Sequence, residues 1–511
     1  MNTPDFGTSV TRRLVRRMIR LAVLAASAGF VLVVGYVAYA VSALPELQPW
    51  HTVRVDGEFS AARDSKLDFA GYLALEERLF AAASARATTW RGLGERYTYS
   101  RFNTQGRIQQ LAAASPWNRS FRLSPEHPQG GALLVHGLTD SPYSMKALAE
   151  SLYRRGFEVT VVRLPGHGTF PSMMLDMSYR DWRAAVRLAV RDVAARTRAD
   201  QPFYVGGYST GATLVLNYAL DALDDSGLRK PDQVLLISPA IELAPVAGLA
   251  SFIDAVSVVP VPVLEKVRWE TIAAEYDPYK FNSFPFNALR QVNRATKDLQ
   301  EALLAAEASG QLAQLPPTVT WQSAVDATVG AGGTVDLLYA RLQGGRHRLV
   351  LFDVNRHEGL SSVQRPAAAE VIERAIAAHA GYMLEVVSSA AVGSASAALR
   401  RYAPASVAPE LEALDLAWPG NVVSLGHVAL PFPPDDPVYG FLPGSGRDGL
   451  PSLGSWLLRG EAGALTISLG SLTRLRSNPF WALVDRQVGE LVAADLAAGL
   501  RAGPVAVNAE P

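Results

Sequence analysis

The sequence predicts an α/β protein built on a mostly parallel sheet, and three observations support this. Apolar runs such as 132–135 and 157–162 alternate with segments of helical periodicity, a pattern typical of parallel strands covered by helices on both faces. A serine flanked by glycines (Gly-Tyr-Ser-Thr-Gly, 207–211) lies between another such run and an apolar helix. Several runs also end in short polar segments, such as 136–140, and sites of parallel sheets lie at such strand ends.

The individual elements follow from these periods of two and 3.6 residues. The predicted strands are 132–135, 157–162, 203–205, 234–237, 319–324 and 347–354, with strand-like runs at 382–387 and 422–430. The predicted helices include 67–83, 182–193, 212–223, 299–308, 367–378 and a last amphipathic helix after Pro479.

Composition excludes several function classes. The 48 Lys and Arg residues balance 48 Asp and Glu residues, so no charge excess favours a nucleic-acid partner. The chain has no cysteine, which excludes disulfides and thiolate catalysis.

The N-terminus carries the signals of a membrane anchor. Residues 1–20 contain five arginines, and 21–43 contain no charged residue, a length sufficient to cross a hydrocarbon core of about 30 Å. A cleaved signal peptide is the alternative, but its apolar region is usually only about 7–15 residues long. We therefore expect a basic cytoplasmic tail, a transmembrane helix, and the rest of the chain on the non-cytoplasmic side.

The remaining chain divides into a connecting region and one large domain. Residues 44–120 have no chemical motif, whereas alternating strands and helices begin soon after 121. An insertion at 244–317 separates two predicted strands, and a long C-terminal part, 358–511, follows the last of the regular pattern. Both keep a globular composition, so we assign 121–511 to a single domain.

The Gly-Tyr-Ser-Thr-Gly segment predicts a nucleophile. In a tight turn between strand and helix, the residues two positions before and after the serine approach each other closely, which only glycine tolerates. Ser209 would then point away from the sheet, with the N–H of Thr210 available to an oxyanion. An ordinary turn serine is the alternative, and the two glycines disfavour it.

A carboxylate partner is predicted at the end of a later strand. Asp326 follows the run 319–324, where acids of such sheets lie. Two alternatives remain at this point: Asp326 could only cap the following helix, and Glu242, which follows the strand at 234–237, could be the acid instead.

Together these motifs resemble the α/β-hydrolase superfamily, in particular its carboxylesterase and monoacylglycerol-lipase-like serine hydrolases. The motifs that carry the resemblance are His136-Gly137-Leu138, Gly166-His167-Gly168, the tight turn 207–211 around Ser209 (the serine elbow) and the segment 322–326 that ends in Asp326. The resemblance implies that the N–H of Leu138 is the second oxyanion donor and that 244–317 forms a cap over the site. It implies no metal and no organic cofactor. The apolar, aromatic cap suits an ester with a hydrophobic acyl group.

The histidine of the expected triad is chosen from those that follow Asp326, since the order in this fold is Ser, acid, His. His347 and His379 lie at unsuitable ends of their elements, which leaves His357 and His427. His357 has the shorter spacing. We favour His427, because its Gly-His-Val setting resembles that of the family's catalytic histidine.

The sequence therefore predicts a membrane-anchored serine hydrolase of carboxylic esters, with Ser209, Asp326 and His427 as its triad. A serine aminopeptidase on the same fold is one alternative. A non-catalytic, membrane-tethered binding protein is another, because a fold does not by itself establish an activity.

Overall fold

A computed structural model describes most of the chain between residues 42 and 502. The described residues are 42–90, 97–106, 108–109, 116–242, 262–356, 365–442, 452–455 and 473–502, with isolated positions between 17 and 39 and at 363 and 470.

Twelve strands are present in this part of the chain. They are β1 (Phe121–Leu123), β2 (Gly130–Val135), β3 (Phe157–Val162), β4 (Phe203–Tyr208), β5 (Gln233–Ile237), β6 (Trp269–Thr271), β7 (Phe284–Pro285), β8 (Thr318–Ser323), β9 (His347–Phe352), β10 (Tyr382–Ser389), β11 (Ser396–Tyr402) and β12 (Glu410–Ala417). The longer helices are α1 (Phe69–Thr88), α2 (Lys146–Tyr153), α3 (Tyr179–Arg196), α4 (Thr210–Asp224), α5 (Phe286–Ala308), α6 (Ala367–Ala378) and α7 (Trp481–Ala502).

Ten of the strands form one sheet in the order β1-β3-β2-β4-β5-β8-β9-β10-β11-β12. Every pair from β3 to β10 is parallel, whereas β1, β11 and β12 are antiparallel to their neighbours. The predicted α/β architecture with a mostly parallel sheet is confirmed. Strands β6 and β7 form a separate small sheet within the region predicted to be the cap.

The strand predictions hold for the buried, continuous apolar runs and fail in the C-terminal part. The first seven predicted strands correspond to β2–β5 and β8–β10, and their predicted ends differ from the observed ends by at most three residues. The strand-like run at 422–430 is wrong: it is a loop with one 3-10 turn, His427–Ala429. Its backbone is held instead by Asn355, which donates through N and Nδ2 to the carbonyls of Val423 and Val422, so its apolar side chains pack without strand pairing.

The sheet is covered on both faces. One hydrophobic cluster joins it to α1, α3, α4 and α5, and includes Trp182 and Leu299. The opposite cluster joins it to α2 and α7, and includes Leu148 and Val488. Gln487 of α7 also accepts a hydrogen bond of 2.7 Å from the indole of Trp321, so the C-terminal helix completes the second face of the same core.

The connecting region also packs into this core. Arg163, which follows β3, is fully buried between two carboxylates of that region, at 2.8 Å from Glu58 and 2.6 Å from Glu76. Removing Arg163 would leave the buried carboxylate of Glu76 and the partly buried one of Glu58 without this cation, which is costly. The helix predicted at 67–83 is α1, and Tyr72 of this helix donates to the carbonyl of Arg163 at 2.7 Å.

Within the described residues, no helix has both the length and the apolar character needed to span a membrane. Most of the segment 21–43 lies outside those residues, so the anchor stays a prediction.

Candidate functional site

Ser209 lies at a strained turn between β4 and α4. Its φ of 54° and ψ of −118° belong to a region that side chains other than glycine rarely adopt. A Cβ on Gly207 would lie 2.3 Å from the carbonyl carbon of Gly211, and one on Gly211 would lie 2.1 Å from the carbonyl oxygen of Val135. Both glycines are therefore required sterically, as the sequence predicted.

The turn directs Ser209 into a cavity of about 460 Å³, which is also lined by Leu138, Thr210 and His427. The backbone N–H of Ser209 donates to the carbonyl of Ile237 at 2.9 Å, which fixes the turn to the neighbouring strand. Among the described residues, none forms a hydrogen bond with the Ser209 hydroxyl. Hydrogen bonds between catalytic side chains are often long in unliganded sites, and they shorten when substrate binds.

Asp326 and His427 form a hydrogen-bonded pair, although 101 residues separate them in sequence. The Nδ1 of His427 donates to Oδ2 of Asp326 at 2.8 Å, while Oδ1 accepts the N–H groups of Thr328 and Val329. Asp326 thus caps its own turn and also orients the imidazole. Burial raises the pKa of Asp326, but the charge and hydrogen bond of His427 outweigh burial and hold it below its ordinary value.

Tyr208 supports the histidine from the strand side. Its ring centroid lies 5.1 Å from that of His427, and its hydroxyl donates to the carbonyl oxygen of His427 at 3.3 Å. The 3-10 turn that bears the histidine is therefore attached to the residue that precedes the serine.

The two predicted oxyanion donors line the same cavity as Ser209. Leu138 follows β2 and Thr210 begins α4, and within the described chain neither backbone N–H takes part in another hydrogen bond. Both N–H groups thus remain available at the site where the serine points.

The other two motif histidines, His136 and His167, order the loops that carry them. The Nε2 of His136 accepts the N–H of Leu164 at 2.9 Å, and its ring packs against that of His167. Both are fully buried, and burial lowers the pKa of His167 to about 4, so it is neutral near pH 7.

Asp140, in the loop that follows β2, forms an ion pair. The Nζ of Lys280 lies 3.2 Å from its carboxylate, and next to this pair the N–H of Phe281 donates to the carbonyl of Thr139 at 2.8 Å. These contacts attach the aromatic loop of the cap, 276–286, to the loop that carries Leu138.

The rest of the cavity wall comes from the C-terminal part of the chain. Tyr143 stacks on Tyr279 with ring centroids 4.1 Å apart and donates to both oxygens of Asp436, at 3.1 and 3.0 Å. Phe432 and Tyr439 pack in the same cluster. The segment 431–440 is thereby joined to the cap loop, and the two face the serine together.

The cavity has an apolar side and a charged side. The apolar residues come mostly from the cap and from the strand ends: Leu138, Ala240, Phe281, Phe284, Leu289, Val292 and Val329. The charged residues are Asp140, Asp277, Lys280, Arg474 and Arg476. No local sequence motif surrounds Arg474, Arg476 or Asp277, so sequence reasoning missed them.

Of the two alternative site residues, the structure describes only Glu242, which does not line the cavity. Glu242 is exposed, whereas His357 lies outside the described residues. In the part of the chain that is described, no cluster of three or more His, Asp or Glu side chains is placed to hold a metal.

Comparison with known proteins finds hydrolases. Residues 126–362 match a hydrolase family described as serine aminopeptidase, S33. The thermostable monoacylglycerol lipase of Bacillus sp. (strain H-257) is 35% identical over 128 residues, which is 25% of this chain and 50% of the lipase. The chain thus spans half the length of this curated relative.

Among solved structures, similar chains include a lipolytic enzyme from the metagenome-derived pair LipS and LipT (TM-score 0.37, 21% identity, 47% of this chain and 89% of that chain). Another is the monoacylglycerol lipase of Paleococcus ferrophilus (TM-score 0.35, 18% identity, 50% and 98%).

The strand order and the serine elbow are those of an α/β-hydrolase fold, and residues 126–362 resemble the matched hydrolase family. The predicted resemblance to the α/β-hydrolase superfamily and its esterase and lipase members is confirmed for the region 126–362. His427, the segment 431–440 and the two arginines lie beyond that region, so the C-terminal part of the chain contributes six of the 23 residues that line the cavity.

Proposed function

We propose that this protein is a serine hydrolase that cleaves carboxylic esters through an acyl-enzyme intermediate. The observation that supports the proposal most directly is the Asp326–His427 hydrogen bond beside the elbow serine, in one cavity. A nucleophile, a base and a group that orients the base are the parts that such chemistry requires.

In the proposed reaction, His427 takes the proton of Ser209 as its oxygen attacks the ester carbonyl. The N–H groups of Leu138 and Thr210 receive the oxyanion, which is normally worth about 3–4 kcal/mol per donor. His427 then protonates the leaving alcohol, and a water activated by the same imidazole releases the acid. Asp326 stays ionised and holds the imidazole in the required tautomer, which its lowered pKa favours.

The apolar side of the cavity favours a hydrophobic acyl group. Phe284, Leu289 and Val292 of the cap line the cavity that contains the serine, and such a surface gains free energy from covering hydrocarbon, about 25 cal/mol per Å². The lipase relative has a name consistent with a lipid-like ester.

A serine peptidase that releases N-terminal residues is the second candidate, because the matching family carries that description. It would have to bind an ammonium group near the serine. Three cationic and two anionic side chains line the cavity, and this excess of positive charge disfavours an ammonium group.

Membrane attachment is part of the proposal and has its own test. The charge-free run 21–43 supports a single span with the hydrolase on the non-cytoplasmic side. We expect the native protein to stay in the membrane fraction after a carbonate wash. A mature N-terminus near Val41 or Leu44 would instead show that the segment is cleaved as a signal peptide.

The decisive experiment is labelling with a fluorophosphonate, which reacts only with an activated serine. We expect the adduct on Ser209 by peptide mass spectrometry, and loss of both labelling and ester hydrolysis in Ser209→Ala. The variant Ser226→Ala, in the turn after α4, is the matched control. An adduct on another residue, or full activity in Ser209→Ala, would refute the assignment. Parallel assays with p-nitrophenyl esters of graded length and with aminoacyl-naphthylamides separate esterase from peptidase.

A further inference from the structure

The charged side of the cavity contains a buried acceptor that is not satisfied. Asp277 is fully buried and lines the cavity. Its Oδ1 accepts the hydroxyl of Tyr439 at 2.6 Å and the N–H groups of Tyr279 and Lys280. Its Oδ2 has no hydrogen-bond partner among the described residues, although a buried carboxylate oxygen without a donor is costly.

One cation stands close to this oxygen without reaching it. The Nη1 of Arg476 lies 3.8 Å from Oδ2 of Asp277, and its Nη2 donates to the hydroxyl of Tyr276 at 3.0 Å. Two atoms at this separation can each form a normal hydrogen bond of about 2.8 Å to one atom between them. That atom would have to accept from the guanidinium and donate to the carboxylate.

A hydroxyl oxygen meets both requirements, and an ammonium group does not. A hydroxyl has one donor and two acceptor positions, whereas an ammonium group has donors only. A cation between Asp277 and Arg476 would also be repelled by Arg476 and by the exposed Arg474, which has no carboxylate within 4 Å among the described residues.

From this geometry we infer that Asp277 and Arg476 form a subsite for a hydroxyl group of the substrate. The preferred substrate is therefore an ester that carries a hydroxyl close to the scissile bond. The inference rests on the proposed function, because the same Ser209 would attack that ester. Asp277 belongs to the cap loop and Arg476 to the C-terminal part, so the subsite exists only where these two segments meet.

The test compares small, soluble esters that differ in hydroxyl groups alone. Glyceryl monobutyrate and propyl butyrate share their acyl group, and methyl 3-hydroxybutyrate and methyl butyrate share their alcohol. Rates are measured in a pH-stat on the full-length protein in detergent. We expect kcat/KM to favour the hydroxylated member of one pair by about tenfold to a hundredfold, the range for a hydrogen bond to a charged group. The pair that responds shows which side of the ester reaches the subsite.

Two variants and one control connect this preference to the subsite. Asp277→Asn keeps an acceptor for Tyr439 but removes the charge, and we expect the kcat/KM ratio of the responding pair to fall to near one. Arg476→Gln should lower the same ratio and raise the rate on butyrylcholine relative to propyl butyrate, because a repelling charge is gone. Asp415→Asn makes the same chemical change on the exposed edge strand β12 and should keep the wild-type ratio.

Fluorophosphonate labelling separates failure of this inference from failure of the proposed function. If wild-type protein is labelled and cleaves all four esters without preference for a hydroxyl, the subsite is refuted and the hydrolase stands. The same holds if Asp277→Asn and Arg476→Gln, both labelled at the wild-type rate, leave the ratio unchanged. If wild-type protein is neither labelled nor active on any ester, the proposed function itself has failed, and the subsite with it.

Discussion

The cavity has two walls that are held in different ways. The first wall is the elbow of Ser209 with the loops that follow β2 and β8, and main-chain contacts fix it: Gly207 and Gly211 admit no side chain, and the N–H of Ser209 is bonded to β5. The second wall is the cap loop 276–286 with the segment 431–440. Side chains hold most of it, through Asp277, Asp436 and Lys280, and among the described residues only the N–H of Phe281 bonds to the main chain of the first wall.

We expect the first wall to determine the chemistry and the second wall to determine substrate selectivity. A wall fixed by the backbone holds reacting groups to a fraction of an ångström, as catalysis requires. A wall fixed by side-chain contacts can change its lining without disturbing the serine. We therefore expect changes in the first wall to reduce kcat and changes in the second to alter KM, substrate preference or stability.

The largest effect should come from the tightest contact of the first wall. In Gly211→Ala the new Cβ would lie 2.1 Å from the carbonyl oxygen of Val135, so β2 and the elbow would have to separate. Such overpacking against the main chain costs several kcal/mol, a large share of a stability of about 5–15 kcal/mol. We expect little folded protein by circular dichroism, and no fluorophosphonate labelling. In the control Gly420→Ala, nothing lies within 4 Å of the new Cβ, and it should fold and react normally. A folded, labelled Gly211→Ala would show that the first wall is not fixed as described.

Loss of the proposed base should come next. His427→Ala is expected to reduce kcat about 10³-fold or more with KM little changed, measured on a p-nitrophenyl ester. The exposed His127 offers a matched control, since His127→Ala should keep wild-type kinetics. If His357→Ala shows the loss and His427→Ala does not, the histidine with the shorter spacing from Asp326 is the base, and the Asp326–His427 contact is structural.

The site residues of the first wall could be predicted from the sequence, whereas the charged residues Asp277 and Arg476 could not. Ser209 was identifiable because the glycines around it record a local backbone constraint, and Asp326 because it ends a continuous apolar strand. His427 was accessible only through its Gly-His-Val setting, as the strand predicted around it does not exist. Asp277 and Arg476 could not be predicted. Asp277 contacts Tyr439, 162 positions away, and Arg476 contacts Tyr276, 200 positions away, and no local sequence pattern indicates contacts over such distances. The strands β11 and β12 were missed because neither is a continuous apolar run: β11 contains Arg400 and Arg401, and β12 alternates charged and apolar residues, a period of two that was overlooked.

A pH-dependent stability of the cap should be the next effect in size. Glu275 is buried, accepts the N–H groups of Asn282 and Ser283, and burial raises its pKa to about 7 from 4.5. Between these values the folded protein binds more protons than the unfolded chain, so the free energy of unfolding falls as pH rises, by roughly 3 kcal/mol across the window.

Glu275→Gln removes this titration, and denaturant unfolding at pH 5 and pH 8 should then show a smaller loss of stability at the higher pH than in wild type. Glu410→Gln, an exposed change on β12, should leave the wild-type difference intact. If Glu275→Gln keeps the full pH dependence, other groups are responsible and Glu275 is not the titrating residue.

The smallest expected effect concerns a single hydroxyl, that of Tyr143, which supports the second wall from outside it. Tyr143→Phe removes the donor to both oxygens of Asp436 but keeps the ring that stacks on Tyr279. Asp436 would still accept the N–H groups of Val438 and Tyr439, each at 2.8 Å. Losing one donor to a buried carboxylate should cost about 1–3 kcal/mol in the free energy of unfolding.

Because the stacked ring and the main-chain anchors remain, the segment 431–440 should stay in place. We expect kcat within about twofold of wild type and a KM raised a few-fold. A less firmly held wall weakens the binding of substrate and transition state equally, which raises KM and leaves kcat unchanged. Denaturant midpoints and steady-state kinetics on glyceryl monobutyrate measure both quantities, with Tyr153→Phe, outside the cavity, as the control. A hundredfold fall in kcat at constant KM would mean that the second wall takes part in the chemistry, and the division between the two walls would not hold.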